Sequence, residues 1–185
     1  MSTPYFWELI DQSKKQGAEQ VEWLASELSK KELKEIIDFE IEFQKKMDQS
    51  YTSSLWGAAF VIMGGCSDDG FDYFRGWLIS RGEEVYHKAV NNPEFLAEYL
   101  TEENLMEDEY APQMEEILSV GLDAYIYQKT GEFEYNDEIH TDFLHELENR
   151  DYQIEPVELD LDWEEEDLEV RYPLLWGRFG ENPLT

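Results

Sequence analysis

The chain has 185 residues, 44 acidic against 14 basic, and a formal net charge of −30. Six Trp, 11 Tyr and 10 Phe separate it from disordered acidic chains, and the length suits one folded domain with a sizeable core. The charge excludes direct binding to nucleic acid or to an anionic membrane, since phosphate contacts need clustered Lys and Arg. The lone Cys66 makes no internal disulfide. The longest nearly apolar stretch, Leu55 to Cys66, is too short to span a bilayer. The opening Thr3-Pro4-Tyr5-Phe6-Trp7-Glu8 lacks the basic and apolar parts of a secretory signal, so a cytoplasmic protein is expected.

Helical signals fill the first two-thirds. Thr3 before Pro4 predicts an N-cap with proline at the first helical position, and Gly17 a stop. Val21, Leu24 and Leu28 keep helical spacing as far as Ser29. There Ser29-Lys30-Lys31-Glu32 has the spacing of a capping box, which predicts the opening of a third helix with a broad apolar surface from Leu33 to Met47. Tyr51 to Met63 carries no charge and is expected to be the central, fully surrounded helix, ended by Gly64-Gly65. Further helices are expected over 67–81, 83–91, 93–100, 112–120 and 122–130. Asn92 is the expected cap of the third of these. Beyond Gly131 the alternation of Phe133 and Tyr135 with Glu132 and Glu134, and of Val157, Leu159, Leu161 and Trp163 with acids, reads as half-buried strand. The two pieces would pair around a helix at 137–148. A last helix over 164–179 is broken at Pro173. The expected fold is mainly α: one helical domain over 1–185 around the central apolar helix, with a short two-stranded β element near the C-terminus.

Residues 94–169 hold 27 acids against only Lys129 and Arg150, so −25 of the charge is concentrated there. Aromatics are threaded through this stretch, among them Tyr99, Tyr110, Tyr125, Tyr127, Phe133, Tyr135, Phe143, Tyr152 and Trp163.

The run Tyr51-Thr52-Ser53-Ser54-Leu55-Trp56-Gly57-Ala58-Ala59, then Gly64-Gly65-Cys66-Ser67-Asp68-Asp69-Gly70-Phe71 and Phe74-Arg75-Gly76-Trp77-Leu78-Ile79, resembles the signature of an uncharacterised bacterial family, domain of unknown function 4240. Phe6-Trp7-Glu8-Leu9-Ile10-Asp11 is similar to that family's opening. Trp163 to Leu168, followed by Pro173-Leu174-Leu175, is similar to its end. The resemblance implies a mostly helical single domain and brings no established activity.

Asp68 and Asp69 admit two readings. In the structural one, Ser67 caps a helix, and both carboxylates meet its dipole and unpaired N–H groups. In the catalytic one they are metal ligands or general bases of a small hydrolase or ligand-binding enzyme, with Arg75 gripping a carboxylate or phosphate near Trp7, Tyr51 and Trp56. Adjacent acids leading into a helix match no metal-ligand spacing, so the structural reading is favoured. Arg75 is then expected to pair with Asp68, Asp69 or Asp72. Cys66 has no histidine nearby, and acidic neighbours disfavour its thiolate. His140 and His145 are five apart and diverge on a helix, unlike the i,i+4 pair of a zinc site. Asp160, Asp162 and Glu164 imitate a calcium loop but lack its glycine and closing glutamate. No metal or cofactor is expected.

The remaining signal is the acidity. It serves solubility alone, or it forms a surface for a basic partner, with charge raising the encounter rate and aromatics anchoring the complex. The second option gives the sequence-based expectation: a non-enzymatic inhibitor or immunity-type protein occluding a basic protein, such as a nuclease or another nucleic-acid-binding protein, by DNA mimicry. The contact residues are expected among Glu132, Glu134, Asp137, Glu138, Asp160, Asp162, Glu164, Glu165, Glu166 and Asp167.

Overall fold

The structure, a computed structural model, describes residues 1–101, 111–150 and 159–184. The protein is mainly α-helical, with no strand among the described residues. It divides into two compact units. One comprises Met1–Lys46 with Glu116–Val157, the other Met47–Glu115 with Glu158–Thr185.

In the first unit, α1 (Thr3–Ser13) and α2 (Gln20–Ser29) are joined through a 3₁₀ turn in which Gly17 has a φ of 57°. Ser2, not Thr3, precedes α1. The Thr3 hydroxyl instead donates to Glu42 Oε2 at 2.7 Å. The third helix, α3 (Leu33–Ser50), opens four residues after the expected Ser29 cap, and its last turn, Met47–Ser50, belongs to the second unit. Ser29 ends α2, where its hydroxyl donates to Ser26 O, and Glu35 reaches back to the Glu32 N–H at 3.3 Å. Phe6 of α1 packs against Phe39 of α3 at 5.0 Å. A 3₁₀ turn over Glu116–Ser119 replaces the helix expected at 112–120 and leads into α8 (Val120–Thr130). α2 packs along α8, burying Leu24, Leu28, Val120, Ala124 and Ile126. α9 (Asp137–Glu148) lies where expected. Asn136 Oδ1 accepts from the N–H groups of Glu138 and Ile139, and Phe143 and Leu147 face inward. Complete burial of the three aliphatic side chains at 24, 28 and 126 is worth about 1.5–3 kcal/mol each before entropy is set against it.

In the second unit, the uncharged stretch forms α4 (Ser53–Met63), opened by Thr52, whose hydroxyl accepts from Leu55 N, and closed by left-handed Gly64. Eight of its eleven residues are buried, as expected of a surrounded helix. A Cβ on Gly57 would lie 2.7 Å from the Tyr172 hydroxyl, so only glycine allows that ring and Trp163 to close over the helix. Trp163 Nε1 donates to Ser53 O at 2.8 Å, and the Tyr172 hydroxyl to Ser54 O at 2.7 Å. α5 (Asp68–Ser80) and α6 (Glu83–Asn91) follow expectation. At 93–100 the helix is only a 3₁₀ turn, Pro93–Phe95, and then α7 (Leu96–Tyr99), without a side-chain cap from Asn92. The break at Pro173 separates α10 (Leu168–Arg171) from α11 (Pro173–Phe179).

The expected β element is corrected. Residues 131–136 form an exposed connection in which Phe133 lies on Tyr127 of α8 (4.4 Å) and Tyr135 against His140 of α9 (5.7 Å). The alternation arises because the rings turn back onto two different helices while the glutamates face water. In the second piece, residues 159–163 are irregular, with Trp163 buried on α4; Val157 lies outside the described residues.

Candidate functional site

The signature stretch is built around helix ends. Ser67 Oγ accepts from Gly70 N at 3.2 Å, and Asp68 and Asp69 sit exposed in the first turn of α5. Arg75 points inward. One guanidinium nitrogen donates to Met47 O, in the last turn of α3, at 2.5 Å, and the other to Asp72. The guanidinium carbon lies 4.7 Å from the Tyr51 ring centre and 5.0 Å from that of Phe71. A cation at a helix C-terminus is favourable, and stacking on two rings offsets part of the cost of burying it. Trp56 Nε1 donates to Cys66 O at 3.0 Å, and Trp56 stacks on Phe71 at 4.8 Å. Trp7 belongs to the other unit. Burial, with Asp68 nearby, pushes the Cys66 thiol up to about 12, so it stays protonated at neutral pH. Arg75 is thus held among protein groups, and Asp68 and Asp69 face water.

The ten expected contact carboxylates divide between the units. Asp160, Asp162 and Glu164 to Asp167 belong to the second. Asp162 pairs with Arg171 at 2.9 Å and accepts from the Ser53 hydroxyl, and these contacts hold its carboxyl below the usual range. Glu164 and Asp167 form a reciprocal capping box, leaving Glu165 and Glu166 fully outward. Near them, Val170 is 84% and Leu174 63% exposed, two apolar positions that the aromatic inventory passed over. Their signal was available in the acids of Glu165, Glu166 and Glu169 alongside, which mark a solvent face.

Glu132, Glu134, Asp137 and Glu138 belong to the first unit, around the connection between α8 and α9. Gly131 (φ 80°) ends α8, its N–H donating to Tyr127 O at 2.7 Å. The Thr130 hydroxyl donates to Glu132 O and accepts from Glu132 N, so the connection is fastened at both ends. Tyr127, Phe133 and Tyr135 are 37%, 49% and 59% exposed among these acids. Of the other aromatics in the acidic stretch, Tyr125, Phe143 and Trp163 are core, Tyr99 is half-buried, and Tyr110 and Tyr152 lie outside the described residues. The stretch's two cations are engaged elsewhere: Lys129 with Asp142 at 2.6 Å and Arg150 with Asp38 at 2.9 Å. Among the described residues, Asp162 is the one member of the ten with an ion-pair partner.

A shallow open depression of about 420 Å³ is lined by Lys129, Glu138, Ile139, Thr141, Asp142 and His145. The Lys129–Asp142 pair, joined by the Tyr125 hydroxyl at 2.8 Å, lies along it. Among the described residues no group of three or more His, Cys, Asp or Glu side chains is placed to hold a metal ion. No helix among the described residues is long and apolar enough to cross a membrane. Glu40, on the inner face of α3, has Gln44 Nε2 on one oxygen at 2.8 Å, and its other oxygen lies against Gly121. Burial pushes its carboxyl up to about 7.

A family model described as a protein of unknown function (DUF4240) matches residues 1–127, which include the whole signature stretch. The connection at 131–136 and the likeness seen at 163–175 lie beyond the matched residues. No curated protein and no solved structure matches the chain.

Proposed function

The chain belongs to that family, and because membership assigns no chemistry we propose from the surface alone that it is a non-enzymatic acidic binding protein, an inhibitor or immunity-type protein that occludes a basic protein partner. The observation that carries this reading is the combination at 132–138: four carboxylates without ion-pair partners among the described residues, interleaved with rings exposed to solvent. Solubility needs only about 2–8 net charges on a small domain and is not helped by exposed aromatics. Fast capture of a basic protein uses both, charge for the encounter and rings for the residence time. A nuclease or other nucleic-acid-binding protein is the natural class, since its own basic groove accepts a surface that imitates phosphates.

Capture of partners from a native extract at low and high salt, followed by stopped-flow kinetics on the purified partner, tests the reading. The partner is expected to be basic. Association should slow by about tenfold or more between 0.02 and 0.3 M salt while dissociation changes less. Glu165→Gln with Glu166→Gln leaves the capping box intact and should slow association if the second unit's acids steer the encounter. Partners that are only neutral or acidic, or an association rate indifferent to salt, would leave solubility as the reason for the charge.

A further inference from the structure

We propose that Glu40 is a proton-operated latch between α3 and the start of α8: protonated, its carboxyl lets the first turn of α8 rest on α3, and ionised, it drives that turn off. The side chain is on the inner face of α3 and 5% exposed. One oxygen accepts from the Gln44 amide at 2.8 Å. The other faces the first turn of α8 at Gly121, where a Cβ would lie 2.1 Å from it. Only glycine at 121 leaves room for the carboxyl in this place. A neutral carboxyl can be buried with one amide partner, whereas an ionised one needs a cation or several donors.

The charged groups of the surrounding elements are engaged elsewhere. On α3 itself Lys45 and Lys46 act on Glu42, and Asp38 pairs with Arg150. On α8, Asp123 accepts from the Ser119 hydroxyl, and Tyr125 and Lys129 both meet Asp142 of α9. The inward positions of α9 are Phe143 and Leu147, and those of α1 include Phe6, Leu9 and Ile10. On α2, Glu22 is exposed and Glu27 pairs with Lys30. Burial and the Gln44 amide are what act on Glu40, and they bring its ionisation to about 7. The body of α8 is held independently, by α2 along its length and by Phe143 of α9 at 5.2 Å from Tyr125. The part free to yield is therefore the first turn with the 3₁₀ turn Glu116–Ser119 that leads into it. The proton acts as the ligand of this switch. It binds the closed form more tightly than the open one, in which the solvated carboxyl titrates near its ordinary 4.5. The closed form is thus favoured at low pH and loses that advantage as pH rises through 7.

Native-state hydrogen exchange on the full chain, read by NMR at the amides of residues 122–125 between pH 5.5 and 8 in low urea, tests the latch. After division by the intrinsic rates, protection there should fall about 25-fold across the range, with little dependence on urea. The amides of Leu9 and Ile10 in α1 should keep the urea slope of global unfolding. Glu40→Gln should make the local protection independent of pH. Glu40→Met, unbranched and of similar length, should do the same, so the result does not hang on the folding of one variant. Amides at 122–125 that share the opening free energy and urea slope of Leu9 and Ile10 would mean that ionisation acts only on unfolding of the whole unit, and would overturn the latch. A fall in protection that persists in both variants overturns it as well, and so does a Glu40 carboxyl carbon whose chemical shift titrates near 4.5.

Discussion

Glu40 makes stability depend on pH in a direction opposite to that of Asp38, Glu42, Asp142 and Asp162, whose carboxyls are held below the usual range. Its carboxyl, ordinarily near 4.5, is pushed up to about 7 by burial, with the Gln44 amide only partly offsetting that cost. Between these two values the unfolded chain has released the proton and the native state still holds it. Native protein binds more protons, so stability falls as pH rises, and the fall levels off above about 7. A displacement from 4.5 to about 7 corresponds to roughly 3 kcal/mol when complete, of which about 2 kcal/mol develops between pH 5.5 and 8. That range also stays clear of the isoelectric region near 4.1. Glu40→Gln keeps the shape and an acceptor for Gln44 but cannot ionise. Urea unfolding of wild type and variant across the range, by circular dichroism with hydrogen exchange at the α8 amides, isolates the effect as a difference between the proteins. The variant should gain about 2 kcal/mol on the wild type between pH 5.5 and 8, whatever its offset at the lower end. A difference constant to within about 0.5 kcal/mol would refute the burial argument.

Ser67→Ala removes the acceptor for the Gly70 N–H and should cost about 0.5–2 kcal/mol, read as a lower urea midpoint at unchanged slope. Ala59→Glu places a carboxylate at a position with no exposure in α4 and should abolish cooperative unfolding of the second unit; wild-type-like melting would remove α4 from the core. Gly57→Ala drives a methyl into the Tyr172 hydroxyl and should cost about 1–3 kcal/mol, with loss of near-ultraviolet signal from Trp163.

What the sequence made legible was local and repetitive. An uncharged stretch in a heavily charged chain marks a surrounded helix by composition, and Ser67 marks a helix start through chemistry contained within three residues. Ser29 had the right spacing for a cap, but α2 runs through it, and packing chose Leu33 as the next start. The alternation at 132–135 was real, yet a period of two says only that neighbouring side chains point apart. Here they point to two helices and to water. Sorting core aromatics from exposed ones was out of reach, because Tyr125 and Tyr127 differ only in which face of α8 they occupy. Glu40 was closer to legible. Its spacing from Ile36, Ile37 and Phe43 places it on the apolar face of α3, though nothing local shows that Gly121 makes room for its carboxyl.

The covering of α4 also bears on the order of events during synthesis. The bond from Trp163 to Ser53 joins residues 110 apart, and the one from Tyr172 to Ser54 joins residues 118 apart. At about 5–20 residues per second the most apolar helix emerges roughly 5–25 seconds before the rings that close over it exist. Loop closure of that length also places the second unit among slow-folding topologies despite its helical content. For that interval the nascent chain carries an uncharged, unclosed segment, the kind of surface that chaperones hold. The acids at 165–169, which follow Trp163 within six residues, add soluble charge to the chain in the same short stretch that supplies the lid.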